Sequence, residues 1–151
     1  MFKIIKRNIL KMFREFLVYH HSSMEYRAKI LTLMVSSDGA IDECEKQKLK
    51  EIACRIYNED TQRAELLVDT VMEYHNKIIT RNGLDFDHLV WQVAKETKEV
   101  RRFVQKIDLE LLKELHECAA DDEENYLFQE RILEFLEDLK EEYGKKDNAK
   151  I

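Results

Sequence analysis

Five carboxylates in two short stretches are the residues best placed to do chemistry. Asp38, Asp42 and Glu45 lie within Val35-Ser36-Ser37-Asp38-Gly39-Ala40-Ile41-Asp42-Glu43-Cys44-Glu45, and Asp121 and Asp122 open the run Asp121-Asp122-Glu123-Glu124. Carboxylate oxygens are hard ligands, so the chemistry these residues offer is the holding of a divalent cation such as Ca²⁺ or Mg²⁺. Asp38-Gly39-x-Ile41-Asp42-x-x-Glu45 copies the second half of an EF-hand loop, with Asp38 at loop position 5, Gly39 at 6, Asp42 at 9 and Glu45 at 12. Loop position 1 then falls on Met34, whose thioether cannot replace the first carboxylate, so this is not an EF-hand. Helix capping covers part of the pattern: Gly39 follows a helix end, and Asp42 with Glu45 forms an Asp-x-x-Glu capping box. Capping explains neither Asp38 nor the four consecutive acids of the second stretch.

Other constellations point away from catalysis. His116-Glu117 is followed by Cys118-Ala119-Ala120, so there is no H-E-x-x-H zinc helix. There is no pair of Glu-x-x-His motifs for a di-iron bundle and no glycine loop to cradle phosphate. His75 lies on an apolar stripe and reads as a hydrogen-bonded core histidine. His88 and Trp91 share a helix flank and read as a packing edge. Cys44 stands among carboxylates, which raise a thiol's pKa and make it a poor nucleophile. The expectation is therefore a non-enzymatic protein with no bound organic cofactor. Cys44, Cys54 and Cys118 are odd in number and lack C-x-x-C spacing, which reads as reduced thiols in the cytoplasm.

The elements that must position these residues are helices. Proline is absent, glycine occurs three times, and Glu, Lys, Leu and Ile abound; no alternating strand pattern of any length is present. A length of 151 residues with 44% hydrophobic residues suits one domain with a full core. The spacing predicts an all-α, compact single domain of about seven or eight helices. A basic amphipathic helix occupies residues 1–21, the helical domain 22–144 and a disordered tail 145–151.

Within the domain the predicted helices run from Met24 to Ser37, with Ile30, Leu31, Met34 and Val35 inward, and from the Asp42 cap to Tyr57, with Leu49, Ile52, Ala53 and Ile56 inward. A third runs from Asp60 or Thr61 to Thr80, its stripe including Leu67, Val71, His75, Ile78 and Ile79. Asp85 caps a fourth and Asp108 another, with a short helix over 100–107 between them. The last spans Asn125–Tyr143. Gly39, Gly83 and Gly144 each fall just past a predicted helix end.

Charge is unevenly spread. Residues 1–21 carry five bases and one acid, whereas 108–142 carry three bases and fourteen acids. The acidic third argues against nucleic acid as a partner. The basic first helix, with Phe2, Ile5, Ile9, Met12, Phe13 and Phe16 at helical spacing, suits packing on the domain, a partner subunit or an anionic membrane surface. No run approaches the roughly 18 apolar residues of a membrane span.

The chain also repeats itself. Ala28-Leu31-Met34-Val35 matches Leu112-Leu115-Cys118-Ala119, 84 residues on, and Leu49-Ile52-Ala53-Ile56 matches Ile132-Phe135-Leu136-Leu139, 83 residues on. Two helix–acidic turn–helix repeats result. The segment Leu33 to Glu45, followed by Leu49 and Ile52 and given twice, resembles the bacterial TerB family of tellurite resistance, whose fold also occurs at the N-terminus of a membrane-anchored J-domain co-chaperone. Two departures stand out: Ser36-Ser37 replaces the small Ala before Asp-Gly, and the second turn lacks its glycine, with no counterpart to Glu45 unless Glu130 serves. The resemblance implies a compact, non-enzymatic helical binding or scaffolding module in a stress response. It further implies divalent-metal binding by Asp38, Asp42, Glu45, Asp121 and Asp122, with protein partners or self-association in the cytoplasm near the inner membrane.

Overall fold

Most of the described helices are arranged around one that is buried on nearly all sides. The computed structural model describes residues 23–36, 40–58 and 60–148. The predicted first helix, and Asp38 with Gly39, lie outside the described residues. Helix α1 (Ser23–Val35) buries Glu25, Tyr26, Ala28 and every residue from Ile30 to Val35. A helix apolar around most of its circumference can only be a central one. Helix α3 (Thr61–Ile79) and helix α4 (Phe86–Glu99) pack along it.

Helix α2 (Glu43–Tyr57) leans on α3 rather than on α1, so the two helices flanking the first acidic turn diverge and α3 fills the space between them. A 3-10 segment, Arg101–Lys106, leads into α5 (Leu109–His116). A second 3-10 turn, Glu117–Ala119, leads into α6 (Glu123–Asn148). Six α-helices and two 3-10 segments are thus present among the described residues, with no strand. The domain is all-α and single-cored.

Local chemistry fixes these boundaries. Asp42 caps α2, Asp60 accepts a hydrogen bond from the Arg63 amide at 3.2 Å, and Asp108 accepts one from the Leu111 amide at 3.3 Å. Each satisfies an amide that the first turn leaves without a partner. Asp85 sits at the start of α4 but makes no such bond. Gly83 adopts φ +92° in the turn after α3, a conformation costly for other residues. Gly144 does not end a helix: α6 continues through it to Asn148, so the tail expected from residue 145 is helical to 148. Glycine stops a helix only when it takes the left-handed conformation, which Gly144 does not.

The core holds Tyr26 against Phe103, ring centroids 4.5 Å apart, with Leu33, Met34, Leu49, Ile52, Leu67, Leu89, Leu115 and Leu136. Met34 is fully buried, as its place on the apolar stripe demands. Ile79, expected inward, is 45% exposed because α3 ends there, beyond its neighbours.

Candidate functional site

The first acidic turn delivers Asp42 and Glu45 to the start of α2, where they bond to each other's backbone. Asp42 Oδ1 accepts from the Glu45 amide at 2.8 Å, and the Asp42 amide donates to Glu45 Oε1 at 3.3 Å. This is the complete capping box that the spacing predicts. Asp42 is exposed, whereas Glu45 is only 1% exposed. The helix N-terminus favours a carboxylate there.

The second stretch behaves likewise. Asp122 Oδ1 accepts from the Asn125 amide at 3.3 Å, and Asp121 is exposed in the preceding turn. Counting from the caps, Asp42 corresponds to Asp122, Glu45 to Asn125 and Ile52 to Ile132, an offset of 80 residues, which corrects the offset of 83 and the Glu130 counterpart expected from the apolar pattern. The second turn is thus shorter in sequence than the first and has no glycine.

The fold brings the two turns together. Gln129, fully buried on α6, donates through Nε2 to the Met34 carbonyl at 2.8 Å and to Glu45 Oε2 at 3.3 Å. Its own Oε1 is buried and has no hydrogen-bond partner among the described residues. One residue from Glu45, Cys44 is bonded to Cys118, with Cα atoms 5.7 Å apart. This corrects the expectation of three reduced thiols; Cys54 alone is free, and it is exposed. The pairing spans 74 residues. Motif spacing reports only local pairs, so a bond made by the tertiary fold leaves no mark in it.

Gln129 was missed for a related reason: it sits in an acidic run. The available signal was position, since Asn125, Gln129, Ile132, Leu133 and Leu136 form one helical stripe in which the first two members are polar yet buried.

Among the described residues no three His, Cys, Asp or Glu side chains gather closely enough to hold a metal ion. Oxygens pointing toward such a use are the orphaned Gln129 Oε1 and the carboxylates of Glu45 and Asp42, fewer than the six to eight that Ca²⁺ takes. These groups alone do not make a calcium site.

His75 and His116 are structural. His75 is 5% exposed, with Nδ1 2.9 Å from Ser36 Oγ, matching the core role its stripe predicts. His116 stacks on Tyr126 at 3.9 Å between centroids and meets the Tyr126 carbonyl through Nε2. Trp91 is more open than a packing edge: it is 54% exposed, with His88 stacked on it and the Lys95 ammonium 4.9 Å from the ring centroid.

In comparisons with known proteins, no family model matches this chain, and no curated protein or solved structure matches it at a significant level.

Proposed function

We propose that this chain is a non-enzymatic, TerB-like binding module of a bacterial stress response, acting through protein partners or copies of itself on the cytoplasmic side of the inner membrane. The observation that carries the reading is the meeting of its two acidic turns at the Glu45–Gln129 bond and the Cys44–Cys118 bridge. A repeat whose halves join at the turns is built to make one composite surface from two motifs. The exposed Trp91 cluster suits a protein that works by contact.

A divalent cation belongs to this reading as a ligand of the turns, drawing on Asp38, Asp42 and Glu45 with Asp121 and Asp122. Asn and Asp are equally good helix caps, so charge and capping can be separated. Calorimetric titration with CaCl₂ and with MgCl₂ is the test, on wild type, Asp38→Asn and Asp42→Asn. Heat of binding and a raised melting temperature in wild type, both lost in either variant, are expected. Silence in wild type with both cations would reject the cation.

A further inference from the structure

The two halves of the repeat are joined by a covalent bond at an exposed cysteine, and the next residue along α2 makes a buried polar contact to α6. Cys44 is the second residue of α2 and is exposed; Cys118 lies in the 3-10 turn before α6 and is half-buried. Exposed disulfides are the ones reached by thiol exchange. The residue after Cys44 is Glu45, at 1% exposure, and its partner Gln129, at 0%, has an unpartnered amide oxygen. A buried amide oxygen without a partner is costly, and so is burying a carboxylate, so this contact is a polar seam between α2 and α6 that gains from access to water.

We propose that Cys44–Cys118 is a reversible oxidation site that clasps the two acidic turns, and that its reduction opens the Glu45–Gln129 seam to water. The reductant is a dithiol. One of its thiolates attacks Cys44 Sγ, the accessible sulfur, forming a mixed disulfide and expelling the Cys118 thiolate, which takes a proton. The second thiol of the reductant then attacks the mixed disulfide, leaves as the reductant's own disulfide and releases Cys44 as a thiol. Two electrons and two protons pass to the protein. The reverse exchange with oxidised glutathione closes the clasp. This inference requires no cation, so it stands or falls apart from the proposed ligand of the turns.

The test is thiol labelling with hydrogen exchange read by mass spectrometry, on the whole chain. Equilibrated with oxidised glutathione and then transferred out of it, the protein is expected to label at Cys54 alone; after dithiothreitol it labels at three cysteines. Reduction is expected to speed amide exchange at least tenfold in residues 43–48 and 123–131, to leave residues 64–75 of α3 unchanged, and to lower the melting temperature by about 10 °C. Cys44→Ser/Cys118→Ser is expected to exchange like the reduced wild type in every buffer. Three labelled thiols after glutathione treatment would overturn the proposal. So would unchanged exchange on reduction. Loss of structure throughout the chain, in the reduced wild type or in the double variant, would equally overturn it, by making the bond a general staple rather than a clasp.

Discussion

At the scale of single residues, the carboxylates that look most like ligands are holding a helix start. Asp42 and Glu45 share two hydrogen bonds across the first turn of α2, and the geometry rewards the side-chain oxygen rather than the charge. Asp42→Ala is therefore expected to cost about 1 kcal/mol, and Asp42→Asn only a few tenths, measured by urea unfolding. This pair was legible in the sequence because capping is decided within four residues. The partner of Glu45 was not, because Gln129 comes from the far end of the chain and is selected by the packing of α6.

Tyr26 illustrates the same division. Its hydroxyl lies 2.5 Å from Thr97 Oγ1, which also reaches the Val93 carbonyl at 2.6 Å. Burial pushes the Tyr26 pKa up to about 12, with the Thr97 bond opposing and the Glu96 carboxylate adding to the rise. A folded-state pKa above the unfolded one means that the native state binds more protons between the two values. The stabilisation is complete below pH 10 and is lost as pH rises toward 12, to the extent of about 3 kcal/mol. Alkaline titration followed by tyrosinate absorbance is expected to show one tyrosine ionising late, and Tyr26→Phe to remove that step.

Among the elements, the starts of helices were easier to read than their ends. Aspartates at positions 42, 60 and 108 mark three starts by their own hydrogen bonds. Ends depend on what the chain meets next. Gly83 takes a left-handed conformation in the turn leading to α4, while Gly144 meets nothing that turns the chain, and α6 runs past it. Which helix packs on which was beyond the sequence, because every stripe is apolar and any two could match.

Polar contacts between helices settle part of that choice. Lys29 on α1 donates to Glu96 Oε2 on α4 at 2.7 Å, with side-chain exposures of 14% and 8%. Because the pair is mostly out of water, removing its cation leaves a poorly solvated carboxylate. Lys29→Met is expected to cost about 2 kcal/mol in urea unfolding, and Lys29→Met/Glu96→Gln less than the sum of the two single changes.

For the molecule as a whole, the segregation of charge was plain from the sequence and the fold gives it a place. Residues 108–142 carry fourteen acids against three bases, and these form α5, α6 and the turn between them. Along α6, Glu130, Glu134 and Glu137 follow one another at helical spacing on an exposed ridge, a like-charge arrangement that repels. A counter-charge to this ridge is Lys113, 3.8 Å from Glu137 with both side chains well exposed, which contributes little. Arg55 and Glu114 act in the opposite sense: two hydrogen bonds from the guanidinium hold the Glu114 carboxyl below its usual pKa. That contribution is present above the ordinary carboxylate range and is lost as pH falls through the lowered value. Salt weakens both effects, but each exposed pair, Arg55–Glu114 and those at Lys46–Glu43, Lys48–Glu51, Arg63–Asp60 and Lys77–Glu73 alike, contributes little, whereas the excess of acids along α5 and α6 has few bases to offset it. Raising NaCl from 20 to 300 mM at pH 7 is therefore expected to raise the melting temperature by about 2–4 °C, equivalent to about 1 kcal/mol. Glu130→Gln/Glu134→Gln should give a higher melting temperature in low salt and a flatter salt dependence. A melting temperature that falls with added salt would show instead that attractions such as Arg55–Glu114 and Lys29–Glu96 outweigh the acidic ridge, and that α6 already has its counter-charge within the chain.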